Sequence, residues 1–181
     1  KEILIEEFLQ GEEMSYFIIS DGKTYKKFQT AQDHKRVLEG DKGKNTGGMG
    51  AYSPSKLINK ELDQKIIKKI IEPTLKGIQD LKTNFKGFLY AGLMIKDNEP
   101  YLIEYNVRMG DPECQTILPR LENDLMDVIE AVINCKLDSI DLTWQNSKSL
   151  CVVLCSKGYP ERFQNEVEIV NLEKLEIEKN D

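Results

Sequence analysis

A nearly continuous apolar run from 88 to 95 is the feature that most constrains the fold of this 181-residue chain. A turn at 97–98 follows it, and a second strand-like segment covers 100–106. Two strand-like segments joined by so short a turn predict an antiparallel hairpin. The second arm of this hairpin ends with Glu104 and Asn106, so the fold itself fixes the position of these two side chains.

The first third of the chain carries further strand patterns. Strands are expected at 1–9 and 14–20, and the pair Asp21-Gly22 predicts a hairpin that leads into a third strand at 23–30. From 31 to 54 the apolar pattern disappears. This predicts a long connection without regular structure, of the kind that is more often functional or mobile than incidental.

Helices are expected in the remainder of the chain. Apolar residues at helical spacing predict a helix over 59–80, which Pro73 is expected to kink or break. The other expected elements are helices near 113–118 and 124–134, a linker over 137–148, a strand from 150 and a further strand after 163.

Composition excludes several classes of function. The chain has 25 Lys and Arg against 31 Asp and Glu, and its net charge of −6 argues against a general nucleic-acid binder or a polybasic membrane module. No apolar run approaches the roughly 20 residues that a membrane span needs. The four cysteines form no C-x-x-C pair, so we expect buried reduced thiols, with metal and disulfide roles as alternatives, and a cytoplasmic setting.

Glu104 and Asn106 are the strongest candidates for a functional site. Residues two apart in a strand point to the same side, so a carboxylate and an amide carbonyl share one face. Such hard oxygen donors fit Mg²⁺, which commonly bridges a few protein oxygens to substrate phosphates. Arg108 follows two residues later and could hold an anion, which indicates a phosphoryl-transfer site. An ordinary acidic strand end remains the alternative.

Two further segments could contribute to the same site. Gly47, Gly48 and Gly50 permit positive φ and close approach to a ligand, and successive N–H groups there could form an anion-binding nest. This segment fits neither the Walker A nor the Rossmann pattern, and a flexible turn is its alternative interpretation. Asp111 before Pro112 suits a helix N-cap whose N–H groups would point at the site.

An acidic segment near the start of the chain is a weaker candidate. Glu6 and Glu7 precede a turn that contains Gly11. Backbone groups exposed at such a strand end could pair with an adenine edge, and Glu13 could accept hydrogen bonds from ribose hydroxyls. A plain acidic strand end is the alternative here as well.

Taken in order, these segments resemble the phosphoribosylamine–glycine ligase family of ATP-grasp enzymes. The resemblance covers residues 1 to about 160. The segments that carry it are 6–9, 11–13, 31–36, 45–54, 73–74, 87–94, 104–108 and 110–113. Met109 and Cys114 replace the more usual Phe and Thr, which we expect to be packing changes.

The resemblance implies an α+β fold, the larger subdomain of an ATP-grasp domain, with an antiparallel sheet and helices on one face. It also implies an ATP-grasp part over 1–136, then a linker and the beginning of a small C-terminal domain over 137–181. In the family an N-terminal domain and an ATP lid precede the matching segments. The chain is therefore expected to be a fragment that is inactive alone.

The family forms glycinamide ribonucleotide from 5-phosphoribosylamine, glycine and ATP through a glycyl phosphate, in purine biosynthesis. The resemblance thus implies ATP and Mg²⁺ (or Mn²⁺) as cofactors, small-molecule partners without nucleic acid or membrane, and a monomer. The implied roles are catalysis by Arg108; cofactor binding by Glu6, Glu7, Phe8, Leu9 and Glu13; substrate binding by Asp33, Asn45, Thr46, Gly47, Gly48, Met49, Gly50, Asp111 and Pro112; and metal binding by Glu104 and Asn106. Two alternatives stay open: an ATP-grasp ligase for a different amine, and a non-catalytic nucleotide-binding module.

Overall fold

The computed structural model describes residues 2–171 and 174. The strands are β1 (Glu12–Asp21), β2 (Tyr25–Lys27), β3 (Gln32–Asp33), β4 (Arg36–Leu38), β5 (Lys42–Asn45), β6 (Gly50–Ser53), β7 (Lys86–Lys96), β8 (Glu99–Asn106) and β9 (Ser149–Val152). The helices are α1 (Lys60–Ile66), α2 (Glu72–Asp80), α3 (Glu113–Ile117) and α4 (Leu125–Ile133). A π-helical turn (Ile67–Ile71) joins α1 to α2, and 3-10 turns lie at Leu118–Arg120 and Leu137–Ser139.

The main sheet is antiparallel and has the order β2-β1-β7-β8. The predicted β7–β8 hairpin is confirmed, and its turn uses Asp97 and Asn98 at positive φ values of 52° and 59°. The register shifts between the Gly92–Glu104 and Leu93–Leu102 pairs, which leaves Ile103 as the extra residue of a bulge.

Two apolar cores flank this sheet because alternate side chains of β1 point to opposite faces. On one face Tyr16 and Ile18 pack with Leu62 and other residues of the long helical segment. On the other face Phe17 packs with Val128 of α4. The predicted α+β class with an antiparallel sheet is confirmed, and α4 adds a helix on the second face.

The helical segment from Lys60 to Asp80 confirms the predicted helix and its irregularity at Pro73. The Asn59 side chain caps it by accepting a hydrogen bond from Leu62 N at 2.9 Å. Pro73 has no N–H, and its ring would clash with the carbonyl four residues earlier in a regular α-helix. The π-helical turn immediately before α2 accommodates this defect.

Three predicted elements are wrong in the described residues. Residues 2–10 form no strand, because no described segment pairs with them, and Leu4 and Ile5 are exposed. The connection over 31–54 contains four short strands, β3 to β6, instead of irregular structure. No strand follows 163 up to 171, and the rest of that prediction falls largely outside the described residues.

The strand predicted from 150 is confirmed as β9, which pairs with β6 in a second sheet of order β3-β6-β9. The expected linker before it is packed against the sheet: the Trp144 ring lies 5.1 Å from Phe28, edge to face. The buried Arg120 guanidinium donates to Ser147 O at 2.7 Å and to Ser53 Oγ at 2.9 Å. The division into domains at 136/137 remains a prediction.

All four cysteines are free thiols, which agrees with the expectation of reduced side chains. Cys155 is exposed and the other three are half-buried, so their predicted full burial is wrong.

None of the described helices has the length and apolar character to span a bilayer.

Asp21 ties the end of β1 to the chain beyond α4. Its carboxylate is 1% exposed and accepts from Lys23 N and Thr24 N at 2.9 and 2.8 Å and from Leu137 N at 3.1 Å. Burial alone would raise the pKa of this carboxyl, but the three backbone N–H groups outweigh it and lower the pKa.

We expect Asp21→Asn to lower the free energy of unfolding by about 1–3 kcal/mol at pH 7, because hydrogen bonds to a charged acceptor weaken. The pKa of Asp21 in the folded chain lies below its unfolded value of about 3.9. The stabilisation is therefore present above that value and is lost as the pH falls through the folded-state pKa. Urea unfolding between pH 3 and 7 measures it, with the exposed Asp138→Asn as the matched control. Equal acid sensitivity of wild type and Asp21→Asn would contradict this assignment.

Candidate functional site

The Glu104 and Asn106 side chains lie together at the end of β8, as the sequence predicts. Asn106 Nδ2 donates to Glu104 Oε1 at 3.1 Å. The bulge at Ile103 precedes Glu104, so it does not disturb the two-residue spacing between the pair. Gly92 lies opposite Glu104, and a Cβ there would lie 3.1 Å from Glu104 Cγ, so the glycine leaves room for the carboxylate.

Glu104 lines a polar cleft, and several other predicted site residues line it too. A cavity of about 200 Å³ is lined by Glu104, Glu13, Asp33, Lys35 and Asn45, among others. A neighbouring cavity of about 500 Å³ shares Glu13, Asp33, Lys35 and Asn45 and adds Phe8 and Leu9. Six predicted site residues therefore border these two adjoining cavities: Phe8, Leu9, Glu13, Asp33, Asn45 and Glu104.

Lys35 carries a positive charge in this cleft, as does Arg36 at the larger cavity, and the sequence assigned neither of them a separate role. Its Nζ lies 3.0 Å from Glu13 Oε2. Burial would lower the pKa of Lys35, but the hydrogen bond to Glu13 and the charges of Asp33 and Glu104 raise it overall. The one sequence signal that could have indicated Lys35 as a cleft residue is its position two residues after Asp33, since such residues share a face in an extended chain.

Asp33 is an incompletely satisfied acid in the wall of the cleft. Its Oδ1 is buried and has no hydrogen-bond partner among the described residues. Burial, followed by the charge of Glu113, raises the pKa of this carboxyl to about 7. The opposing charge of Lys35 lowers it only in part.

Glu113 is the acid whose charge acts on Asp33, and the sequence did not indicate it as a site residue. It is 2% exposed, and its Oε1 accepts from Ser15 Oγ at 2.8 Å. The Ser15 hydroxyl also lies 3.0 Å from the Tyr90 hydroxyl. Burial and the charge of Glu113 raise the pKa of Tyr90, so this phenol stays protonated.

The glycine-rich segment contacts both Asp33 and the turn at 111–112. Gly48 has a φ of +122°, and a Cβ there would lie 2.4 Å from Pro112 Cδ and 3.0 Å from Asp33 Oδ1. Only glycine fits such a backbone conformation and such a close approach. Gly48, Asp33, Asp111 and Pro112, four predicted substrate-binding residues, thus lie together.

The N–H groups of this segment are used inside the protein, so they do not form the anion-binding nest that the glycines suggest. Three of them have acceptors within 34–46, and the fourth has an acceptor on a distant segment. The bonds are Thr46 N to Lys35 O at 2.8 Å, Gly48 N to Thr46 Oγ1 at 3.0 Å, Met49 N to His34 O at 2.8 Å and Gly47 N to Tyr159 OH at 3.1 Å.

The predicted helix cap at Asp111 is wrong. The helix α3 begins at Glu113 with Pro112 in the cap position, and no side chain caps it. Asp111 Oδ1 instead accepts a hydrogen bond from the Gln115 side chain at 2.7 Å. The first residues of this helix, 113–115, are not among those that line the two cavities.

The remaining predicted residues lie at the border of the cleft or outside it. Arg108 is exposed and donates from Nη1 to Met109 O at 3.0 Å, and it has no described contact with Glu104 or Asn106. Phe8, 84% exposed, and Leu9 border the larger cavity. Glu6 and Glu7 are exposed and do not line it.

The antiparallel sheet, its flanking helices and the polar cleft at the strand ends define an ATP-grasp domain. The crystal structure of a phosphoribosylamine–glycine ligase from Thermotoga maritima is similar, with a TM-score of 0.76 and 32% identity over 88% of this chain and 40% of that one. The family model described as phosphoribosylglycinamide synthetase, ATP-grasp (A) domain, matches residues 1–114. The chain belongs to this family.

Curated relatives support the same assignment along nearly the whole chain. A phosphoribosylamine–glycine ligase of Brucella melitensis is 47% identical over 175 residues, which is 97% of this chain and 41% of that protein. A protein of the same name from Vigna unguiculata is 49% identical over 176 residues, 96% of this chain and 57% of that protein. The chain thus spans 41% and 57% of the length of these two relatives.

Gly48→Ala should lower the free energy of unfolding by about 1–3 kcal/mol, because alanine is strained at this φ and its Cβ would collide with Pro112. Urea unfolding measures the change. Gly77→Ala is the matched control: nothing lies within 4 Å of its added Cβ, and it lies within α2. The free energy of unfolding of Gly77→Ala should rise by about 0.5–1 kcal/mol. Equal effects of the two substitutions would refute the close approach at Gly48.

Asp33→Asn should change how stability depends on pH. The pKa of Asp33 is about 7 in the folded chain, against about 3.9 in the unfolded chain. The folded chain therefore binds more protons between these values, and the Asp33 contribution to stability falls as the pH rises through them. As the pH rises from 5 to 8, the free energy of unfolding of Asp33→Asn should therefore increase relative to that of the wild type. Urea unfolding without nucleotide or metal tests this, and a pH-independent difference would contradict it.

Proposed function

We propose that this chain forms part of the ATP-binding and metal-binding site of a phosphoribosylamine–glycine ligase. Such an enzyme makes glycinamide ribonucleotide from 5-phosphoribosylamine, glycine and ATP. The observation that carries the proposal is the similarity, along nearly the whole chain, to proteins named as this ligase. The polar cleft around Glu104 supports it, because its residues are of the types that this chemistry needs.

The reaction needs positioning and charge neutralisation rather than a nucleophilic side chain. A carboxylate oxygen of glycine attacks the γ-phosphorus of ATP, which gives glycyl phosphate and ADP. The amine of phosphoribosylamine then attacks the acyl carbon, and phosphate leaves. Both steps bring several anionic groups together, so a protein that assists them must supply cations and fixed hydrogen-bond donors.

Glu104 and Asn106 fit a magnesium or manganese site shared with a nucleotide. Glu104 lines the cleft and Asn106 lies beside it, so both would supply hard oxygen donors to an ion whose coordination water completes. Among the described residues no group of three or more His, Cys, Asp or Glu side chains is suited to hold a metal ion. Glu104 and Asn106 would therefore share the ion with phosphate oxygens. A divalent ion bound there would neutralise charge on the transferring phosphoryl group.

Other residues in and around the cleft would bind the remaining parts of the substrates. The backbone of residues 6–9 would pair with adenine, and Glu13 would accept hydrogen bonds from the ribose. Lys35, now paired with Glu13, would lie close enough to balance a phosphate or carboxylate. Arg108 would turn toward the phosphoryl group or the glycine carboxylate.

The loop and the turn around Gly48 would hold the remaining substrates. Asp33, residues 45–50, Asp111 and Pro112 would close over phosphoribosylamine and glycine. Their mutual contacts support this role, because Gly48 packs against both Pro112 and Asp33. We further propose that the enzyme works on small molecules alone, as a cytoplasmic monomer.

The experiment follows ADP release by a ligase that contains this chain, with each substrate omitted in turn. ADP release should require glycine, phosphoribosylamine and Mg²⁺ together. Glu104→Gln should reduce turnover about 10²-fold or more, because charge stabilisation in the transition state is lost. Glu130→Gln, an exposed change on α4, is the control and should leave turnover within twofold.

Near-normal turnover of Glu104→Gln would refute the metal assignment. Faster turnover with another amine would indicate a ligase for a different acceptor. Nucleotide binding that ignores Mg²⁺, without turnover, would indicate a non-catalytic nucleotide-binding module.

A further inference from the structure

The glycine-rich segment is held by a part of the chain about a hundred residues away. Its continuation, β6, pairs with β9, so that Gly50 lies opposite Val152. Beyond β9, Val153 N donates to Met49 O at 2.9 Å. The next contact is the bond from Gly47 N to the Tyr159 hydroxyl at 3.1 Å. The loop is therefore attached to residues 149–159 at both of its ends.

The bond from Gly47 to Tyr159 differs from the other hydrogen bonds of the loop. Thr46, Gly48 and Met49 donate to acceptors within the neighbouring chain from 34 to 46, and these bonds form whenever the local fold forms. Gly47 donates to a side chain 112 residues away, and the bond is exposed. It is thus the one N–H between Thr46 and Met49 whose satisfaction depends on a distant segment.

Tyr159 is held in place for this contact. Its ring packs against Phe163 with the centroids 5.4 Å apart and an interplanar angle of 66°. Tyr159 N donates to Ser156 O at 3.1 Å, which fixes the turn that carries the ring. On the other side of the contact, Lys44 and Glu161 form an ion pair. A second contact between the same two segments thus brackets the hydroxyl.

We propose that Tyr159 is a positioning residue for the glycine-rich loop. By accepting the Gly47 N–H, it fixes the loop in the conformation in which Gly48 packs on Pro112 and Asp33. A loop that is already ordered requires less of the substrate's binding energy to close. The inference rests on the proposed function for the identity of that substrate, phosphoribosylamine, but the contact itself is independent of it.

The contact is tested on the 181-residue chain by amide hydrogen exchange of Gly47, followed by NMR. Tyr159→Phe keeps the ring and removes the acceptor, so exchange at Gly47 should become about 3–10-fold faster, the size of one net hydrogen bond. Exchange at Met49, whose acceptor is His34 O, should stay within twofold. Tyr101→Phe is the control, because the Tyr101 hydroxyl has no hydrogen bond in the described part of the chain. Unchanged exchange at Gly47 in Tyr159→Phe would overturn the proposal.

The positioning role is tested by steady-state kinetics of a ligase that contains this chain. Tyr159→Phe should raise the KM for phosphoribosylamine about 3–10-fold, while kcat and the KM for ATP stay within twofold. An unchanged KM for phosphoribosylamine would overturn the role, and so would equal changes in all three parameters, which indicate general damage. A lower KM would overturn it as well, since the hydroxyl would then compete with substrate for the Gly47 N–H. If the wild-type ligase shows no glycine-dependent turnover, the proposed function fails while the exchange experiment still decides on the contact.

Discussion

The pairing of β1 with β7 is the constraint on which the other parts of this structure depend. The two strands pair along their whole length, from Glu12 opposite Ile95 to Asp21 opposite Lys86. One row of this ladder runs from Ser15 through Gly92 to Glu104 on β8. A slip of one residue would turn every side chain of β1 to the opposite face. The register that fills both cores therefore also directs Ser15 toward Glu113 and positions Glu104 in the cleft.

The cleft that results has an excess of acids over bases. Glu13, Asp33 and Glu104 line the smaller cavity with Lys35, and the larger cavity adds Glu12 and Asp41 against Arg36. Burial of Asp33, followed by repulsion from neighbouring carboxylates, raises its pKa, and such an arrangement becomes more favourable when a cation enters. A site of this charge is suited to a metal ion with its phosphates and to an amine, and it is poorly suited to a free anion.

The sequence predicted those parts of the molecule whose signals are local. The β7–β8 hairpin, the helix interrupted at Pro73 and the Glu104–Asn106 pair follow from periodicity and turn residues, which act over a few positions. The short strands β3 to β6 were missed because two to four mostly polar residues carry no periodic signal. Lys35 and Glu113 were missed as site residues for another reason: their partners Glu13 and Ser15 lie far away in sequence, and only tertiary structure brings them together.

The three-stranded sheet β3-β6-β9 has a consequence for how the chain can be divided. Because β6 is its central strand, removal of β9 would leave a row of unpaired N–H and C=O groups beside the glycine-rich segment. An open edge of this kind promotes pairing between molecules and aggregation. A chain that ends at the predicted boundary near 136 would keep all four strands of the main sheet. It would nevertheless expose an unpaired strand edge directly next to the glycine-rich segment.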